Sequence, residues 1–171
     1  MHQSIIRACL LGAVAIGGTA HAEVKEKSFE IKLSAEVPPV SVFDVKEEGG
    51  WDRTKAQELT WNAEKKKFDP LTLKVNAKST VGNVQVKFSS AEVPRLALKG
   101  DAEAYFEVGA KVGDKDVGTD AAEVVTKAEA AQGKSLDLVI TPGEASDKIK
   151  NDVLAGTYEG TVPLMFESEI D

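Results

Sequence analysis

Apolar and polar positions alternate along most of this chain. Over residues 28–37, Phe29, Ile31, Leu33, Ala35 and Val37 fall on one face of an extended segment, and Glu30, Lys32, Ser34 and Glu36 fall on the other. Period two over ten residues predicts a strand. Pro38 and Pro39 end it, because neither offers an amide hydrogen to a sheet. Val40, Val42 and Val45 predict that a strand resumes, up to a turn at Glu47-Glu48-Gly49-Gly50. Leu59 and Trp61 predict a short strand within 57–62. The runs 71–77 and 84–88 alternate cleanly, and the short connection at Val81-Gly82-Asn83 predicts that they are antiparallel neighbours. A loop with a short strand is expected at 93–98, and further strands at 105–112 before a turn at 113–116 and at 136–140, ending at Pro142-Gly143. In the last run, 158–166, Tyr158, Gly160, Val162, Leu164 and Phe166 share a face, and Pro163 predicts that one side of the strand is open. Residues 120–131 read equally as a helix, capped by Asp120 and stopped by Gly133, or as an edge strand around Val124-Val125-Thr126. About seven or eight short strands separated by turns predict an all-β, two-sheet sandwich.

The first residues break this pattern. Arg7 precedes the apolar run 8–16, and small residues follow up to Ala20-His21-Ala22. This is the layout of a secretory signal peptide, and the run is shorter than the roughly 20 residues a membrane-spanning helix needs. The expected mature chain therefore begins at Glu23, outside the cytoplasm. Cys9 lies at the front of the apolar run rather than after it, which argues against a lipoprotein.

Composition then narrows the chemistry. Cys9 is the sole cysteine, and the two histidines, His2 and His21, also lie within 1–22. The mature chain is thus expected to lack thiol and imidazole groups, which removes Ser-His-Asp and Cys-His catalysis and the usual zinc ligands. No cofactor is expected. The formal charge of −7 speaks against a nucleic-acid partner, whose phosphates call for a basic footprint. The acidic pairs Glu47-Glu48 and Asp114/Asp116 lack the spacing of a calcium loop and read as solvated turns.

A long amphipathic strand close to a mature N-terminus has two readings. It is either the first strand of a complete sandwich, or a donor strand that fills an incomplete sandwich in another copy, with main-chain bonds for affinity and alternate side chains for register. Burying five such side chains supplies about 7–15 kcal/mol before ordering costs. A head-to-tail contact of this kind need not close and builds an open polymer.

The segments Glu26-Lys27-Ser28 with Ile31, Leu33, Ala35 and Val37, then Leu59-Thr60-Trp61-Asn62, Lys67-Phe68, the 73–77 and 84–88 strands, 135–140 and finally 156–166 occur in an order that resembles the major pilins of the CS1/CFA type (alpha or class 5 fimbriae) of Gram-negative bacteria. The resemblance covers most of the mature chain. It implies an incomplete immunoglobulin-like sandwich with an N-terminal donor strand, and three parts: signal peptide 1–22, donor extension 23–37 and pilin domain 38–171. It implies donor residues Phe29, Ile31, Leu33, Ala35 and Val37, and an acceptor groove lined by Val162, Leu164 and Phe166 with Tyr158 near its end. It also implies a surface fimbria as the product. The partners would be further copies of the chain, a periplasmic chaperone, an outer-membrane usher, a tip adhesin and a host-cell receptor. High Lys and Glu content, Phe29, Pro163 and the tail 167–171 depart from the family pattern. Two other readings are a monomeric secreted or periplasmic binding domain with a complete sandwich, and a glycosidase using two carboxylates.

Overall fold

The computed structural model describes residues 27–35 and 41–169. The chain divides into two units, Met1–Val37 and Pro38–Asp171. The signal-peptide reading of 1–22 and the expected positions Val37 and Val40 lie outside the described residues. In the first unit, residues 27–35 form no helix or strand and are exposed throughout. Phe29, Ile31 and Leu33 are 87%, 82% and 91% exposed.

Among the described residues of the second unit, the regular elements are almost all strands. These are β1 (Phe43–Glu48), β2 (Trp61–Asn62), β3 (Lys67–Phe68), β4 (Leu71–Ser79), β5 (Val84–Phe88), β6 (Arg95–Leu98), β7 (Asp101–Val112), β8 (Lys115–Asp116), β9 (Ala122–Val125), β10 (Lys134–Ala145), β11 (Tyr158–Gly160) and β12 (Leu164–Ser168), with a single helical turn, α1 (Lys127–Ala130), after β9. One sheet runs β1-β4-β10-β7-β6-β11, with β8 paired to β7. A smaller sheet runs β12-β5-β9, and β2 and β3 form a separate hairpin. All the pairings are antiparallel.

Alternation places the core between the sheets. Val75 and Ala77 of β4, Ala110 and Val112 of β7, and Leu136 and Leu138 of β10 face Val84 and Val86 of β5 and Val125 of β9. A second cluster, at the other end, gathers Leu96, Ala104, Phe106, Val108 and Ile149. Phe68 of the small hairpin and Tyr158 stand edge-on or tilted to Phe106, with ring centroids 5.5 Å away in both cases.

Several expectations are corrected. The runs 71–77 and 84–88 are not paired neighbours: β4 and β5 belong to different sheets. Alternation is the same for a hairpin and for an arch that crosses the core, so the pattern does not separate them. Here the buried Ser79 hydroxyl takes the amides of Val81 and Gly82, at 3.3 and 3.2 Å, which turns the chain across the sandwich. Gly82 is required there, since a Cβ would stand 1.7 Å from the Glu169 carbonyl oxygen.

The last run is also two strands rather than one. β11 pairs with β6 in the large sheet and β12 with β5 in the small one, and Pro163 lies in the crossing. β10 continues beyond Pro142-Gly143 to Ala145, with an irregularity that absorbs the proline. β1 extends through Glu48, so the turn is confined to Gly49 and Gly50. Residues 120–131 hold both alternatives in succession, an edge strand and then one helical turn. The turn is capped at Thr126 rather than Asp120: the Glu129 carboxylate accepts from the Thr126 amide and hydroxyl.

Candidate functional site

The small sheet does not close the large one. Between them runs a groove of about 620 Å³. Its floor is the inner face of the large sheet, through Leu71, Leu73 and Val75 of β4, Leu138 and Ile140 of β10, Val108 of β7 and Leu96 of β6. One wall is Val162, Leu164 and Phe166. The other is Val45 of β1 and the segment after it, including Trp51, Arg53 and Leu59. Leu71, Leu73, Ile140, Val162, Leu164 and Phe166 remain half-buried, although each points inward. In a finished core such residues are covered. What they lack here is a layer of apolar side chains along the groove.

Three of the four expected acceptor residues, Val162, Leu164 and Phe166, stand together in this groove. Tyr158 is not among the lining residues. It belongs to the Phe68–Phe106 aromatic cluster, donates its hydroxyl to the Leu154 carbonyl at 2.9 Å, and has its pKa raised by burial. The floor residues of β4, β6, β7 and β10 were not singled out from sequence. Their signal was the alternation itself, once the strands are placed in one sheet.

Both strands that flank the groove are edge strands. In an antiparallel ladder every second residue turns its amide and carbonyl away from its partner. The Ser89 amide donates to the Pro163 carbonyl at 2.9 Å, which sets the phase of β12 against β5. Met165 and Glu167 therefore bond β5, and the backbone groups of Leu164, Phe166 and Ser168 point to the open edge. The donor that Pro163 lacks would have faced β5, so the open edge loses nothing to the proline.

On the other side, the Thr80 amide donates to the Val42 carbonyl at 2.9 Å. By the same alternation, Phe43, Val45 and Glu47 turn their backbone groups to the open edge of β1. That edge is occupied in part: Arg53 Nη2 donates to the Val45 carbonyl at 3.1 Å and to Glu47 Oε2 at 2.7 Å, and Arg53 Nε also donates to the Glu47 carboxylate. These bonds hold the Glu47 carboxyl down at about 2. Trp51 Nε1 donates to the Lys74 carbonyl at 2.6 Å and fixes the same segment to β4.

The groove has apolar walls and unpaired backbone on its rim, which is the chemistry of strand capture. Among the described residues no group of three or more His, Cys, Asp or Glu is placed to hold a metal. Asp114 and Asp116 are paired with Lys115 and Lys111, and Glu47 with Arg53.

The CooA pilin subunit from enterotoxigenic Escherichia coli has a similar fold, with a TM-score of 0.52 at 18% sequence identity, over 66% of this chain and 78% of that chain. The architecture is accordingly an incomplete immunoglobulin-like pilin sandwich that lacks a strand of its own in the groove. No curated protein sequence matches significantly. Among protein families, the CS1 type fimbrial major subunit matches residues 27–167. The chain therefore belongs to the CS1 type fimbrial major subunits, structural pilins that build cell-surface fimbriae by donor-strand exchange and are not enzymes.

Proposed function

We propose that residues 29–37 of one copy fill the groove of the next, with Phe29, Ile31, Leu33, Ala35 and Val37 lying along the Leu73–Ile140 floor between β1 and β12. One observation carries this reading. A groove of half-exposed apolar side chains stands open in the second unit, while an exposed apolar face, at Phe29, Ile31 and Leu33, lies in the first. Val162, Leu164 and Phe166 are the acceptor wall. Main-chain bonds to Leu164, Phe166 and Ser168 supply affinity, and alternate side chains set the register. The domain division that follows is signal peptide 1–22, donor extension 23–37 and pilin domain 38–171.

The partners follow from the same chemistry. An open edge beside an apolar groove is an aggregation hazard, so a periplasmic chaperone has to cover it before assembly. An outer-membrane usher and a tip adhesin complete the assembly, and a host-cell receptor is the target of the finished fibre. The test is deletion of residues 23–37. The truncated subunit should still be recovered with its chaperone and should not join other subunits. Normal polymerisation of the deletion would overturn the proposal.

A further inference from the structure

The two edges of the groove differ in one respect that the strand pattern does not predict. On β12, the outward backbone groups of Leu164, Phe166 and Ser168 have no hydrogen-bond partner among the described residues. On β1, the corresponding carbonyl of Val45 already accepts from Arg53, whose guanidinium is held in place by both oxygens of Glu47. Trp51 anchors the rest of that segment to β4. A strand that approaches β1 has to displace a charge-assisted bond and a planar side chain lying on the edge. A strand that approaches β12 meets no such bond.

We infer that Arg53 is a positioning residue for assembly: it blocks the β1 edge of the groove at Val45, so that the strand entering from a second copy pairs along β12. This rests on the donor-strand reading above, and it adds which edge is chosen and by which side chain. Nothing about Arg53 is visible from periodicity. A lone arginine in a polar turn reads as solvated surface. Glu47 is its counterpart: it sits on the groove side of β1, where a hydrophobic residue would otherwise complete the alternation begun by Val45. The pairing also protects β1 from unwanted association. Edge strands with free polar groups join other edges, and a cation placed over the edge prevents this.

The chain suits a cross-linking test, because its sole cysteine, Cys9, lies in the segment read as the signal peptide. Glu30→Cys or Lys32→Cys marks the polar face of the donor. Met165→Cys marks the outer face of β12, and Lys46→Cys the outer face of β1. Neighbouring strands bring such positions within disulfide reach. Each donor variant is combined with each edge variant in the full chain. Fimbriae are assembled in cells and mildly oxidised, and the cross-linked ladder is read on denaturing gels.

With Arg53 intact, links to position 165 should exceed links to position 46 about tenfold, the weight of one charge-assisted bond. In Arg53→Ala the two should approach parity. Equal linking in the presence of Arg53, or an unchanged preference in Arg53→Ala, would overturn the inference. If Arg53→Ala yields no fibre, Glu47→Gln serves in its place: it loosens the guanidinium without removing it and should narrow the same ratio. Fibres that give no link at either edge would overturn the donor-strand reading itself, which keeps the two failures apart.

Discussion

Phe106 and Leu73 both face the interior of the large sheet, yet only one of them is covered. Phe106 is 1% exposed, and Ile149, from the loop after β10, closes over the same cluster with none of its surface left. The β2–β3 hairpin adds Phe68 and Trp61 against the same ring. Leu73, Leu71 and Ile140 continue the inner face into the groove and find no such cover. The same alternation produced both regions. The difference is that local loops and a hairpin fill one end, whereas the other awaits a strand. The open groove and the closed Phe106 end thus lie on one and the same sheet.

The largest effect should follow from making the groove itself hostile. Leu164→Asp combined with Phe166→Asp puts two carboxylates where the incoming apolar face must lie, and burying an unpaired charge is severely unfavourable. Incorporation into fimbriae, read by electron microscopy, should fall more than about 100-fold, because each 1.4 kcal/mol is a factor of ten. The same pair of changes should leave the Phe106 cluster intact, as read by its aromatic near-ultraviolet circular dichroism.

A stability comparison sharpens the contrast. Phe106→Ala should cost the subunit about 3–5 kcal/mol in urea unfolding, the usual range for a buried aromatic. Leu73→Ala should cost the monomer less than about 2 kcal/mol, since its side chain is only half-covered, and should approach the full buried range of about 2–5 kcal/mol once assembled. Equal costs in monomer and fibre would mean that nothing covers Leu73 on assembly. Gly82→Ala should cost about 1–3 kcal/mol, below the Phe106 change, since the added methyl meets the Glu169 carbonyl at the end of β12 and forces the arch to shift.

The smallest effect concerns pH. Glu47 is held at about 2, below its ordinary value of 4.5, chiefly by its hydrogen bond to Arg53. A depressed carboxylate contributes stability above its unfolded pKa and loses it as pH falls through the folded one. The stability that the Arg53–Glu47 contact adds should therefore be unchanged between pH 7 and 5 and fall progressively from about 4.5 towards 2, while the carboxyl of the folded chain itself titrates only near 2. Carboxyl chemical shifts followed by nuclear magnetic resonance check this directly. A midpoint near 4.5 would show that the contact does not persist in solution.

The strand-by-strand pattern was legible because burial on one face writes itself as period two, and Leu71–Ala77, Val84–Phe88 and Leu136–Ile140 all became strands. Which strand lies beside which was not legible. The 79–83 connection looks like a hairpin, and its true course depends on a buried Ser79 hydroxyl and on a glycine pressed against a carbonyl 87 residues later in the chain. The C-terminal run kept its alternation through Gly160 and Val162, so its division between two sheets left no mark except Pro163. For the groove, Val162, Leu164 and Phe166 were legible as one face of a strand. Tyr158, on the same nominal face, is separated from them by the crossing. The floor residues needed the sheet order, and Arg53 needed the folded structure, because a contact between a turn and a strand edge has no periodicity.

The central claim is that the exposed apolar face at Phe29, Ile31 and Leu33 of one copy completes the core of the next. Its most direct measurement is electron microscopy with gel filtration on residues 23–171, released from the chaperone, with and without Ile31→Asp and Leu33→Asp together. Fibres or an oligomer ladder from the unaltered chain, and none from the double variant, is the predicted result. A stable monomer from the unaltered chain, or fibres that survive both substitutions, would contradict it.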